Sequence, residues 1–236
     1  MGTYNLLEAL RDYSKIKKNY KLIHVSTDEI YGDISKGSVK ENSQVKPSSP
    51  YAATKAASNH LVSSYIKTFK LKALIVNPTN NYGPNQHPEK LIPKIIYNIL
   101  NNKKLPIYGK GKNKREWTFV SDNCEALIAV YKNGKLGESY NIGSGKIISN
   151  LAICKLLMSI ARKKKSLGQN VKIQFIKDRP GHDYRYSVNS SKIKKKIKWK
   201  PKVKLLEGLK YTFNWYEENK KYFNSFNKKD ITRRIG

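Results

Sequence analysis

Two short stretches bring together residues that can do chemistry. In the first, Ser26-Thr27-Asp28-Glu29 follows the apolar run Leu22-Ile23-His24-Val25, so a hydroxyl and two carboxylates arrive at the end of a strand. In the second, Tyr51-Ala52-Ala53-Thr54-Lys55 sets a phenol and an ammonium at i,i+4 spacing, which on a helix puts them on one face. An ammonium beside a phenol favours the phenolate and is expected to draw the Tyr51 pKa down from about 10 toward working pH. Tyr51 then reads as a base that removes a hydroxyl proton during hydride transfer, with Thr27 bonding the same hydroxyl. Asp28 and Glu29 are neighbours and would point to opposite faces of a regular strand, but where the chain turns both can meet one ligand. Paired carboxylates in different environments split into an acid and a base, as elimination of water across two carbons requires. Each motif alone also has a structural reading: an exposed Lys beside a half-buried Tyr, and an acidic pair at a helix N-terminus. Found together, strand end and helix favour the chemical reading.

Holding these residues takes a sheet end and a helix start. Lys21 to Ser26 reads as a buried strand, and residues 33–50, rich in Ser, Lys and Pro, as a surface loop. Pro50 is a start signal for a helix from Tyr51 to Lys70, with Ala56, Leu61, Tyr65 and Ile66 as its inward stripe. Leu71 to Val76 is a second buried strand, so strand, long helix and strand form a right-handed βαβ unit and imply a parallel sheet. The loop Asn77 to Pro84 lies at the carboxyl end of that strand, where open parallel sheets bind ligands. Before them, Thr3 to Leu10 reads as the tail of a crossover helix. After them come a helix from Leu91 to Asn102, an extended Leu105 to Tyr108, a strand from Trp117 to Val120, a helix from Asp122 to Val130 and a strand from Tyr140 to Gly143. A helix over 150–165, a strand over 171–176, a charged loop over 178–186 and a last helix from Leu205 to Asn219, with Phe213 and Trp215 inward, lead to a frayed polar tail.

Composition limits the functional classes. The 236 residues carry 47 Lys and Arg against 17 Asp and Glu, a formal charge of +30. The excess is almost all Lys and is scattered through every segment, so it reads as a solvated surface rather than a nucleic-acid face. No apolar run approaches the ~20 residues that span a bilayer and the N-terminus lacks a signal peptide's apolar centre, so a cytoplasmic protein is expected. Cys124 and Cys154 are too far apart for a metal site, and read as two reduced, mostly buried thiols.

The blocks Val25 to Asp33 (VSTDEIYGD), Ser49 to Ala56 (SPYAATKA), Asn80 to Pro93 (NNYGPNQHPEKLIP), Leu105 to Val120, Tyr140 to Gly143 and Asp178 to Asp183 (DRPGHD) together resemble the dTDP-glucose 4,6-dehydratases, members of the extended short-chain dehydrogenase/reductases. The Thr27-Asp28-Glu29 triplet is the discriminating feature, since related 4-epimerases lack the adjacent carboxylates. The resemblance implies an α/β fold: the C-terminal part of a Rossmann-type parallel sheet with a smaller α+β substrate-binding lobe. A partial NAD-binding domain over 1–83 would carry the catalytic residues, and 84–236 would be mainly the sugar-nucleotide lobe, with 118–143 returning to the sheet. It also implies NAD as cofactor and a nucleoside-diphosphate sugar, dTDP-glucose favoured, as substrate. Tyr51 would take the proton of the 4-hydroxyl, Lys55 would hold the cofactor ribose, Glu29 would remove the C5 proton and Asp28 would protonate the departing C6 hydroxyl. Thr27, Asn80, Lys90, Leu91, Pro106, Ile107, Tyr108, Arg115, Asn141, Asp178, Arg179, Pro180, Gly181 and His182 would contact the sugar nucleotide, and Asn81 the cofactor. Lys90, Arg115 and Arg179 suit a diphosphate, the two arginines through a planar fork.

One family feature is not in this sequence: the Gly-x-x-Gly-x-x-Gly turn whose backbone N–H groups hold the NAD pyrophosphate. Gly109-Lys110-Gly111 lies in the substrate lobe and opens no helix after a long apolar strand. The expectation is a chain that needs an N-terminal segment for activity, as part of a homodimer or with a complementing fragment, and whose first strand has an uncovered edge. The alternatives are a remnant that binds sugar nucleotides or other anions without turnover, and another sugar-nucleotide dehydratase or epimerase.

Overall fold

In a computed structural model of the protein, residues 1–227 and Ile231 are described. The expected polar tail falls largely outside them. The helices are α1 (Gly2–Ile16), α2 (Pro50–Phe69), α3 (Leu91–Leu100), α4 (Val120–Asn133), α5 (Asn150–Lys163), α6 (Ser191–Ile197) and α7 (Leu205–Glu218). The strands are β1 (Leu22–Val25), β2 (Ala73–Pro78), β3 (Asn80–Tyr82), β4 (Leu105–Tyr108), β5 (Lys114–Phe119), β6 (Ser139–Ile142), β7 (Ile147–Ser149) and β8 (Ile173–Ile176). A one-turn 3-10 helix, Asp28–Tyr31, follows β1. The chain forms two compact units, residues 1–79, 121–145 and 185–201 in the first and 80–120, 146–184 and 202–236 in the second.

The first unit is a parallel sheet of order β1-β2-β6. Every residue of β2 is buried, which accounts for its continuous apolar run. Alternation sends Ala73 and Ile75 to one face, where Leu7 of α1 and Val62 and Tyr65 of α2 cover them. Leu74 and Val76 point to the other face, against Ala126 and Val130 of α4 and Ile193 and Ile197 of α6. A hydrogen bond from the Tyr65 hydroxyl to Glu8 ties α2 to α1. This is the expected α/β architecture. The expected burial of the first strand does not hold: β1 is the outer strand, partly exposed along its length, and Val25 at its end is 43% exposed. Among the described residues nothing pairs with its free edge.

The second unit holds a mixed sheet of order β3-β5-β7 and a parallel pair β4-β8. Its core joins Ile92, Ile95, Ile96 and Ile99 of α3 with Ile153 and Leu157 of α5 and Leu209, Phe213 and Tyr216 of α7. Phe213 is buried as expected, whereas Trp215 lies only partly buried against that core.

Two further expectations are corrected. Val120 opens α4 instead of closing the preceding strand, which begins earlier, at Lys114. Cys124 is exposed near the start of α4, while Cys154 is buried and its thiol is pushed up to about 12 by that burial.

Candidate active site

The chain leaves β1 through Ser26 and Thr27 and enters the 3-10 turn. Thr27 caps it: its Oγ1 accepts the Glu29 N–H at 3.3 Å and donates to Asp28 Oδ1 at 3.3 Å. Asp28 and Glu29 therefore occupy the first turn of a helix, as the structural reading has it, and they do so at the end of a sheet strand, as the chemical reading requires. Ile30 and Tyr31 anchor the turn from below, packed with Ala56 of α2 and Val188. Asp28 is 3% exposed, and Glu29 is half-buried with its Oε2 accepting from the Tyr186 hydroxyl at 3.5 Å. Gly32 closes the turn with its N–H on Glu29 O at 3.0 Å.

The opposing groups come from the start of α2. Ser49 Oγ accepts the Ala52 N–H at 3.1 Å and Pro50 takes the first helical position, which fixes the helix start and hence the place of Tyr51. Tyr51 is 52% exposed, and its hydroxyl lies near enough to Thr27 for that group to favour the phenolate. One turn on, Lys55 donates from Nζ to Val25 O at 3.0 Å, at the last residue of β1. Thr27, Asp28, Glu29, Tyr51 and Lys55 thus gather at the carboxyl end of β1, all within the first unit.

The electrostatics differ from the expectation. Tyr51 is raised from its ordinary value, not lowered: partial burial disfavours the phenolate, and the Glu29 and Asp28 carboxylates repel it. Thr27 opposes the rise without cancelling it, and Lys55 is spent on a backbone carbonyl. Since a carboxylate raises a neighbouring phenol, Glu29→Gln should move the Tyr51 titration to lower pH. Ultraviolet difference titration against wild type checks the direction, and an unchanged or higher Tyr51 pKa would show that the carboxylate is not what raises it.

The remaining expected site residues fall into two groups. Asn141, on β6 of the first unit, is fully buried, its backbone N–H on Glu41 and its side chain bonded to Tyr31, Asn77 and Val39. The others lie in the second unit. Asn80 and Asn81 are partly buried on β3, and Asn81 O accepts from Gln86 Nε2 at 2.8 Å. Lys90 caps α3, exposed and paired with Glu89 at 2.8 Å, and Leu91 opens that helix. On β4 alternation leaves Pro106 and Tyr108 partly exposed and turns the Ile107 side chain into the core. Arg115 is 4% exposed, its guanidinium donating to Asp183 O at 2.9 Å and Lys114 O at 2.8 Å. The loop with Asp178, Arg179, Pro180 and Gly181 is held by His182, whose Nδ1 donates to Asp178 Oδ1 at 2.7 Å. Burial, with the Arg179 and Arg115 charges, lowers His182; burial tends to raise Asp178, but the bonds from His182 and the Arg179 N–H lower it overall. A neutral imidazole therefore faces a carboxylate.

Sequence reasoning missed Tyr186 and the polar side chains beneath the turn, Tyr31, Asn59 and Asn77. Of these only Asn59 carried a local signal, lying on the Tyr51–Lys55 face of α2.

Known proteins resemble this chain in sequence and fold. A family model described as GDP-mannose 4,6 dehydratase matches residues 1–212. The dTDP-glucose 4,6-dehydratase of Shigella flexneri is 42% identical over 238 residues, which cover 93% of this chain and 65% of that protein's length. A dTDP-glucose 4,6-dehydratase from Bacillus anthracis, solved in complex with NAD, superposes with a TM-score of 0.86 at 38% identity, covering 95% of this chain and 69% of that one. The corresponding enzyme from Streptomyces venezuelae, also solved with NAD bound, gives 0.87 at 39% identity, covering 95% and 67%.

Proposed function

Because the chain belongs to the GDP-mannose 4,6 dehydratase family, we propose that it acts in removing water from a nucleoside-diphosphate sugar, dTDP-glucose favoured, to give a 4-keto-6-deoxy product. The observation that carries this reading is the convergence of a Thr, two carboxylates, a phenol and an ammonium at the carboxyl end of β1. An epimerase has no use for two adjacent carboxylates beside its tyrosine; an elimination uses both.

The residues at this strand end suit the nicotinamide half of NAD: a half-exposed phenol and, one turn away, an ammonium already directed at the end of the sheet. When bound, that cofactor would supply oxidation at the sugar's C4 and, once water has left, reduction at C6 with the same hydride, so that it is recovered unchanged. Asn81, Tyr51 and Lys55 are the residues of this chain proposed to hold it.

The chain's own groups do the proton chemistry. Tyr51 accepts the proton of the 4-hydroxyl, with Thr27 fixing that hydroxyl. Oxidation at C4 acidifies C5, and Glu29, the more accessible carboxylate, removes the C5 proton. Asp28, the more buried of the two at 3% exposure, takes the opposite duty and protonates the C6 hydroxyl as it leaves. Two groups of opposite duty are needed because one bond loses a proton while the next must gain one.

In the second unit, Thr27's counterparts in binding are Asn80, Lys90, Leu91, Pro106, Tyr108 and the loop 178–182, with Lys90 and Arg179 matched to the diphosphate. Arg115 contributes by fixing the backbone at Asp183. Exposed Leu6, Tyr13 and Ile16 of α1 and Phe69 of α2 leave apolar surface for a partner, either a second copy in a homodimer or a complementing N-terminal fragment.

The test is mass analysis of dTDP-glucose incubated with the protein, NAD and an added N-terminal fragment that carries the Gly-x-x-Gly-x-x-Gly turn. Wild type should give a keto sugar lighter by one water, and Asp28→Asn should lose at least about a hundredfold in that product. A wild-type product that keeps its water overturns the reading.

A further inference from the structure

Beneath the acid–base turn lies a connected set of polar side chains in the first unit, buried at its centre. The Tyr31 hydroxyl donates to Asn141 Oδ1 at 3.0 Å and accepts from Asn77 Nδ2 at 3.1 Å. Asn77 Nδ2 also reaches Asn141 Oδ1 at 3.2 Å, while Asn77 Oδ1 accepts from Asn59 Nδ2 at 3.1 Å. Glu41 Oε1 accepts the Asn141 N–H at 2.9 Å, and Asn141 Nδ2 donates to Val39 O at 3.2 Å. Tyr31, Asn77 and Asn141 are 3%, 1% and 0% exposed. Groups so far from water lose heavily if a bond is broken, so the set favours one arrangement.

Its place in the fold gives that arrangement a use. Tyr31 is the last residue of the turn whose first two residues are Asp28 and Glu29. A helix of one turn has few bonds of its own, so the direction of its carboxylates depends on what pins its far end. Asn77 and Asn141 pin it to paired positions on β2 and β6. Asn59 extends the same set to α2, on the face that carries Tyr51 and Lys55. Burial, together with the Glu41 carboxylate, keeps the Tyr31 phenol protonated, so it serves as a fixed donor and does not compete with Tyr51 as a base.

Resting on the dehydration reading, we propose that Tyr31 and Asn77 are positioning residues, which lock the Asp28–Glu29 turn to the sheet and to the Tyr51 helix so that the C5 and C6 proton transfers are served from one rigid frame. Neither touches the reacting atoms; both act through the turn.

The experiment compares Tyr31→Phe and Asn77→Ala with Tyr216→Phe, which removes an equally buried hydroxyl, bonded to Gln86 O at 2.7 Å, from the second unit. Tyr31→Phe should lower kcat for keto-sugar formation about tenfold with KM within about twofold, Asn77→Ala should follow it, and Tyr216→Phe should leave both constants unchanged. Independently of any substrate, the Glu29 and Gly32 amides should exchange with solvent about tenfold faster in Tyr31→Phe than in wild type. An unchanged kcat, or equal losses in Tyr31→Phe and Tyr216→Phe, overturns the proposal. If the wild-type protein forms no keto sugar, the dehydration reading fails by itself and amide exchange decides the positioning role: faster exchange supports it, and unchanged exchange overturns it.

Discussion

Tyr51→Phe should reduce keto-sugar formation by about a thousandfold while leaving the fold and KM nearly unchanged. The substitution removes one oxygen from a residue that is 52% exposed, so packing loses little. What it removes is the group proposed to take the 4-hydroxyl proton, and the two other phenols at this turn are bound elsewhere: Tyr31 is locked below it and Tyr186 lies against Glu29. The raised Tyr51 pKa gives the result a second signature. Only the phenolate accepts a proton, and its fraction grows with pH up to a pKa above the ordinary phenol value. The wild-type rate should therefore rise through the neutral range, and the residual rate of the Phe variant should lose that dependence. Steady-state kinetics across pH, with a thermal midpoint for each protein, measure both. A Phe variant within about threefold of wild type would remove Tyr51 from the reaction.

Gly32→Ala should cost about 3 kcal/mol of stability and abolish activity. Gly32 has φ 71° and ψ −158°, a conformation that L side chains avoid. A Cβ there would lie 2.1 Å from Lys46 O. That oxygen belongs to a backbone fixed by the Lys46 N–H on Ile30 O at 3.0 Å, so relief means moving the turn or the loop folded over it. Either movement displaces Asp28 and Glu29. Gly37 provides the control, since its φ of 70° is similar but a Cβ there meets nothing within 4 Å. Gly37→Ala should cost only about 1 kcal/mol. Denaturation midpoints of the two variants separate backbone strain from the collision, and equal losses would show that the Lys46 contact is unimportant.

The parts of the site that follow local rules were legible in the sequence. Ser49 and Pro50 mark a helix start, and the spacing of Tyr51 and Lys55 then fixes their common face. The apolar runs at Leu22 and Ala73, separated by one long helix, announced a parallel βαβ unit, which β1 and β2 form. Features set by tertiary surroundings were not legible. The direction of the Tyr51 shift depends on carboxylates from another element and on a backbone acceptor that occupies Lys55. The exposure of β1 depends on its place at the edge of the sheet, which its apolar composition does not reveal. Tyr186 reaches Glu29 from 157 residues away, and the Tyr31–Asn77–Asn141 set exists only through the register of β2 on β6.

The claim at the centre of this account is that Asp28, Glu29 and Tyr51 form one elimination centre. The most direct measurement is the reaction of dTDP-glucose with the protein, NAD and the added N-terminal fragment in deuterated water, read by NMR of the product. If Glu29 removes the C5 proton and water is expelled from C6, the product is a 4-keto-6-deoxy sugar with solvent deuterium at C5, and Glu29→Gln and Asp28→Asn both suppress it. A product that retains its 6-hydroxyl, altered only in configuration at C4 and with no deuterium at C5, would contradict the account.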